Sequence, residues 1–118
     1  MYINVKTIPH KEQKYDTCGN WHFEPDELQI SVSEMKNDDY AFLIGIHEAI
    51  EAWLCHRRQI SEDSVTEFDK AFRSEGEPGD DPAAPYRQEH FFAMSVERLI
   101  AQQLGVDWEE YNRAILSL

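Results

Sequence analysis

The sequence predicts an α+β fold, in which a small antiparallel N-terminal sheet is followed by three to four helices. Two observations support this prediction. Apolar and polar residues alternate with a period of two within residues 1–35, whereas from residue 38 onwards apolar residues recur with the helical period of 3.6. The strands therefore all precede the helices, an order that is typical of α+β domains and not of parallel βαβ folds. The 118 residues suffice for one core, so residues 1–118 are predicted to form a single domain.

Residues 1–35 are predicted to contain two or three strands. In the clearest of them, Leu28, Ile30 and Val32 alternate with polar residues. Turn-forming residues at 18–20 and 25–26 separate the strands. We therefore expect an antiparallel sheet.

Four helices are predicted in the rest of the chain. They cover residues 38–57, 61–73, 86–104 and, as a short last helix, 107–116. Asn37 and Ser61 are capping residues in front of the first two, and Gly105 ends the third. The acidic segment 74–85 contains three prolines and two glycines, which exclude a helix or a central strand. We interpret it as a stiff surface loop that fixes where the third helix begins.

The composition narrows the range of partners. With 11 Lys and Arg against 23 Asp and Glu, the formal net charge is −12, so the chain repels phosphate backbones and anionic lipids. We expect no nucleic-acid and no membrane partner. The sequence has no apolar run long enough to span a bilayer and does not begin like a secretory signal, which predicts a cytoplasmic location.

The most informative stretch is a His-Glu-x-x-Glu pattern in the first predicted helix. His47 and Glu51 are four residues apart and therefore project from the same side of the helix, at the edge of an apolar arc. A carboxylate flanked by core residues must be paired, protonated or metal-bound, because an isolated buried charge is costly. An imidazole and a carboxylate on one face are suitable zinc ligands, and the adjacent Glu48 is placed to act on water.

The other helices carry similar residues at the borders of their apolar faces. His90 and Glu97 lie two turns apart on the third helix, and Asp69 lies beside the apolar stripe of the second. If the first and third helices pack through their apolar arcs, His90 should meet His47. We therefore predict His47, Glu51 and His90 as metal ligands. Asp69 is predicted as a fourth ligand or as a group that supports one, and Glu97 as the carboxylate that orients His90.

This pattern resembles the zincin-like metallopeptidase fold, in which a small sheet precedes a helix bearing HExxH and later helices supply another ligand. The resemblance implies a zinc cofactor, with His47 as the first ligand and Glu48 as the general base in hydrolysis of a peptide substrate. Glu51 stands where that family has its second histidine. A glutamate ligand donates negative charge and makes the metal a weaker Lewis acid.

The chain also resembles an uncharacterised family of bacterial and phage proteins. The shared residues are the HExxE helix, the dipeptide Phe68-Asp69, the loop from Gly79 to Tyr86 and the following His90. This resemblance implies a common fold and a common polar site, without indicating a reaction.

A second interpretation remains open for the polar cluster. The same His and Glu side chains could form a buried network of salt bridges and hydrogen bonds in a non-catalytic interaction or assembly protein. In that case the acidic surface would bind a basic partner.

Overall fold

The structure of the chain, a computed structural model, describes residues 1–118 and confirms the predicted α+β class. The three strands are β1 (Tyr2–Ile8), β2 (Gly19–Glu24) and β3 (Glu27–Ser33). The four α-helices are α1 (Asp38–Arg57), α2 (Glu62–Ala71), α3 (Arg87–Leu104) and α4 (Trp108–Leu116). Short 3-10 helices at His10–Glu12 and Pro78–Asp80 lie in the connections. None of the helices combines the length and the apolar character needed to cross a membrane.

The sheet is mixed and not purely antiparallel. The central strand β3 pairs antiparallel with β2, with Ile30 opposite Trp21, and parallel with β1, with Ile30 opposite Val5. The predicted antiparallel arrangement is therefore correct for β2 and wrong for β1. The segment 9–26 that joins β1 to β3 includes all of β2 and is long enough for the crossover that parallel neighbours need.

The hydrophobic core lies between the sheet and α1. The inward side chains of β3 are Leu28, Ile30 and Val32, and each is about 1% exposed. Burial of each such side chain contributes about 1.5–3 kcal/mol. α1 approaches the sheet closely at Gly45, where a Cβ atom would lie 3.2 Å from Val5 Cγ1. The helix that bears the HExxE pattern is therefore fixed directly against the sheet.

The faces through which α1 and α3 pack differ from the expected ones. The helical period predicts Phe92, Val96, Leu99, Ile100 and Gln103 as the core side of α3. Phe92 and Leu99 are instead 54% and 63% exposed, although Ile100 is partly buried against the core. The buried side of α3 instead carries Ala93 and Ala101 together with polar residues. On α1, His47 is buried while Trp53 is exposed. The two helices thus meet through small and polar side chains. The small residues allow the helices to pack closely.

The start of α2 is tied to β2 by Glu62. One carboxylate oxygen accepts a hydrogen bond from the backbone N–H of Phe23 at 3.1 Å, and the other contacts His22 Nδ1 at 2.7 Å. The second ring nitrogen of His22 lies 2.9 Å from Glu24. Hydrogen bonds to Glu62 and Glu24 raise the pKa of His22 above its ordinary value.

We expect this contact to make stability depend on pH. Because the pKa of His22 is higher in the folded than in the unfolded chain, its stabilising effect is complete below the unfolded pKa and is lost as the pH rises through the folded pKa. The effect should stay below about 1 kcal/mol, since the pair is partly exposed. Urea unfolding of the wild type and His22→Gln at about pH 5.5 and pH 9 measures it. A wild-type advantage that does not shrink at the higher pH would contradict the assignment.

Candidate metal centre

Three donor atoms from two helices converge between α1 and α3. His47 Nε2 lies 3.1 Å from Glu51 Oε2 and 3.2 Å from His90 Nδ1, and His90 Nδ1 lies 3.0 Å from the same Glu51 oxygen. All three side chains are buried. The predicted meeting of His90 and His47 is confirmed, since their nearest ring nitrogens lie well within the separation of about 5 Å that two ligands of one zinc allow. The atoms form a nearly equilateral triangle suited to hold a metal ion.

The local backbone explains why these atoms meet. His47 and Glu51 are one helical turn apart on α1, so their side chains point the same way. His90 lies in the first turn of α3, directly after the proline-rich segment 74–85. Because α3 runs antiparallel to α1, residues further along α3 reach positions nearer the beginning of α1.

This antiparallel arrangement changes the role of Glu97. Its Oε1 atom lies 2.7 Å from Nδ1 of His47, on the side of the ring away from the triangle. Its other oxygen accepts a hydrogen bond from the Tyr111 hydroxyl at 2.5 Å. Glu97 was expected to orient His90, but the structure places it on His47 instead, because two turns of α3 carry it past the His90 ring.

Glu51 also has a partner outside the triangle. The indole N–H of Trp21 donates to its Oε1 atom at 3.2 Å, which leaves Oε2 for the triangle. Trp21 was not among the predicted site residues. The period-two alternation of Gly19, Trp21 and Phe23 along β2 could have shown that this indole points inward.

The segment 74–85 contributes more than a stiff connection. Oxygens of Glu77 and Asp80 each lie 3.2 Å from His90 Nε2. Neither contact is aligned as a hydrogen bond, and Nε2 is buried without a hydrogen-bond partner. The backbone at Gly79 lies against the ring so closely that a Cβ atom would be 2.4 Å from His90 Cγ. These two carboxylates were missed by the sequence analysis.

Asp69 does not join the triangle. Its carboxylate accepts hydrogen bonds from the hydroxyl groups of Tyr15, at 2.7 Å, and Tyr86. The ring of Tyr86 packs edge-on against His90, with centroids 6.0 Å apart. Burial raises the pKa of Asp69, although both tyrosine hydrogen bonds act in the opposite direction. Asp69 thus contacts the centre through Tyr86.

Glu48 lines a cavity of about 270 Å³, which is also lined by the three residues of the triangle. Its carboxylate has no partner among the hydrogen bonds or ion pairs of the chain, in contrast to Glu51 and Glu97. It packs against the backbone of β2, where a Cβ atom on Gly19 would lie 2.9 Å from Glu48 Oε1. Only glycine at this position gives the carboxylate its room. Burial, together with the charge of Glu51, raises the pKa of Glu48.

Neighbouring charges shift the pKa values of the buried side chains in this cluster. Burial alone would lower the pKa of both histidines, but Glu51 and Glu97 raise that of His47 well above its usual value, and Glu51 and Glu77 raise that of His90 to about 10. Burial opposes ionisation of Glu51, yet hydrogen bonds from the two rings lower its pKa.

The closest contact between the two rings is compatible with a metal ion. His47 Nε2 and His90 Nδ1 lie 3.2 Å apart, a distance that one N–H···N hydrogen bond or a shared metal ion can span, whereas two N–H groups would repel each other. A metal ion accepts the lone pairs of both nitrogens and of Glu51 Oε2 at once.

Comparison with known proteins yields no relative from which a function could be transferred. No protein-family model, curated protein or solved structure matches the chain. The zincin-like relationship therefore stays a prediction from the sequence, and function is argued from the residues of the centre.

We expect the Tyr111 hydroxyl to stabilise the fold by holding Glu97. Tyr111→Phe leaves a buried carboxylate oxygen without its donor and should lower the free energy of unfolding by about 1.5–3 kcal/mol. Tyr40→Phe is the matched control, because its ring packs on Tyr111 with centroids 5.1 Å apart and its hydroxyl makes no hydrogen bond in the fold. Urea denaturation of both variants tests this. Equal losses would show that the hydroxyl of Tyr111 is not the stabilising group.

Proposed function

We propose that the chain is a zinc-binding protein with a zincin-like centre, in which His47, Glu51 and His90 hold the ion. One observation carries the proposal. The edges of the donor triangle measure 3.0–3.2 Å, and the ligands of a tetrahedral zinc with bonds of about 2.0–2.1 Å are separated by about 3.3 Å. Two imidazoles and one carboxylate form a usual zinc ligand set, and the cavity leaves room for a fourth ligand.

The surroundings of His47 support this proposal. A histidine that binds zinc through one ring nitrogen usually donates the other N–H to a carboxylate, which fixes its tautomer and orientation. His47 Nδ1 has this relation to Glu97, which is itself held by Tyr111. Trp21 similarly fixes the free oxygen of Glu51.

We further propose that the centre carries out zinc-dependent hydrolysis, with Glu48 as the base. Bound zinc would supply a Lewis acid that polarises a carbonyl group and acidifies water. Glu48 would accept a proton from the attacking water and return it to the leaving group. Its carboxylate suits this role because it lies in the cavity beside the ligands and makes no hydrogen bond of its own.

A peptide is the substrate class that the sheet best accommodates. β2 is an edge strand, and its residues Gly19, Asn20 and Trp21 line the cavity next to Glu48. Because Glu62 already accepts the N–H of Phe23, an extended peptide would add to β2 at residues 19–21, where it would pass the centre. We propose this strand as the binding edge.

The second candidate function is a non-catalytic interaction or assembly role, as the phage resemblance would allow. The observation that favours it is that the same groups also make ion pairs without a metal, with His47 beside both Glu51 and Glu97. Elemental analysis of the purified protein separates the two functions. A metal-free protein whose stability does not change on addition of zinc would favour the interaction role.

We predict that His47→Ala, Glu51→Ala and His90→Ala each abolish tight zinc binding, because a site with three protein ligands rarely survives the loss of one. Zinc content after dialysis against metal-free buffer measures this. His56→Ala is the control, since His56 lies on the same helix but is exposed. Zinc retained by all three ligand variants would exclude the proposed centre.

Glu48→Gln should separate binding from catalysis. The amide preserves the shape of the side chain but cannot accept a proton, so zinc content and fold should be unchanged while peptide hydrolysis is lost. Hydrolysis is measured with a mixed library of short peptides, and zinc content in the same preparation. A variant as active as the wild type would exclude Glu48 as the base.

A further inference from the structure

We infer that a second divalent cation binds between Glu77, Asp80 and His90 Nε2, so that the His90 ring bridges two ions. This inference rests on the proposed function, because the other nitrogen of the same ring is a ligand of the first ion. The second site lies on the side of His90 that faces the 3-10 helix Pro78–Asp80.

Two of the distances in this group match those of the first triangle. Each carboxylate oxygen is 3.2 Å from Nε2, and all three donor atoms lie within 4.8 Å of one another. Such contacts are typical of two ligands on one ion, whose separation is an edge of the coordination polyhedron. Two carboxylate oxygens and one ring nitrogen of histidine suit divalent metal ions such as Zn²⁺ or Mn²⁺.

The lack of a hydrogen-bond partner at the buried His90 Nε2 atom is a second observation that points to a ligand at this site. The His90 side chain is 7% exposed, and Nε2 is the single fully buried side-chain nitrogen or oxygen in the chain without a hydrogen-bond partner. Two acceptors lie nearby, yet neither is placed where the ring N–H would point. An ion located between the nitrogen and both oxygens accounts for short contacts that are not aligned as hydrogen bonds.

The charge of the region also favours a second cation. With one divalent ion bound and both histidines neutral, the negative charge of the nearby carboxylates exceeds the positive charge of the ion. These carboxylates belong to Glu48, Glu51, Glu97, Glu77 and Asp80. The whole chain, at −12, offers little positive charge to compensate. Like charges this close repel strongly when partly buried, and a second divalent ion would reduce the excess, since it adds two positive charges while one proton leaves Nε2.

The backbone and the solvent access of the segment fit an ion site. Gly79 places the backbone against the ring, and Glu77 and Asp80, which precede and follow it in this short segment, both reach Nε2. Their side chains are 45% and 50% exposed, which leaves room for water to complete the coordination. On binding, the second ion replaces the proton on Nε2, which leaves to the solvent, so the ring that bridges the two ions is an imidazolate anion.

The test is a Zn²⁺ titration of the metal-free full chain, with bound zinc measured by equilibrium dialysis and elemental analysis at about 0.15 M salt, which screens diffuse surface binding. The wild type should bind two equivalents. Glu77→Gln combined with Asp80→Asn should bind one. Glu75→Gln, which removes an exposed charge from the same segment, should still bind two.

Nitrogen NMR of the His90 ring provides a second readout. The first equivalent should shift Nδ1, and the second should shift Nε2. Saturation of the wild type at one equivalent would overturn the second site and leave the first intact, whereas no binding at all would overturn both. Two equivalents in the double variant would place the second ion elsewhere and also overturn the inference.

Discussion

The burial of charged groups between α1 and α3 is the constraint on which the rest of the structure depends. A buried charge that loses its partner typically costs several kcal/mol, so most polar groups at this interface are matched by a partner. His47 and Glu51 match each other within α1, and α3 supplies His90 and Glu97. The outer oxygen of Glu51 accepts a hydrogen bond from the indole of Trp21 on β2. The outer oxygen of Glu97 accepts one from the hydroxyl of Tyr111 on α4. The positions of β2 and α4 are thereby fixed by the polar centre as well as by apolar packing.

The part of the site that could be predicted from the sequence is the part determined by local helix geometry. His47 and Glu51 share a side of α1 whatever the tertiary structure, because four residues make about one turn. Their approach to His90 was also predicted, although on the assumption that apolar arcs would meet. In the structure Phe92 and Leu99 are exposed, and α3 instead presents alanines and polar groups to α1. Hydrophobic periodicity identified the helix but not the rotation about its axis.

The remaining contacts depend on the relative direction of elements far apart in the sequence. Glu97 lies on His47 because α3 runs antiparallel to α1, and one sequence does not reveal that direction. Glu77 and Asp80 belong to the largely irregular segment 74–85. Its sequence has no periodic pattern from which its path could be predicted. The parallel pairing of β1 was missed for a similar reason, since alternation defines the faces of a strand and not its neighbours.

The position of β1 also has a consequence for the order of assembly. β2 and β3 are joined by two residues, so their pairing closes a very short loop, whereas β1 reaches β3 only by closing the segment 9–26. The entropy of closure is larger for the longer loop, and the exposed side chains of β1 bury little apolar surface to offset it. The β2–β3 hairpin with α1 can therefore form before β1 docks. Because Trp21 and the HExxE helix both belong to that earlier unit, and Gly45 also contacts Val32 of β3, we expect local opening of β1 to leave the donor triangle assembled.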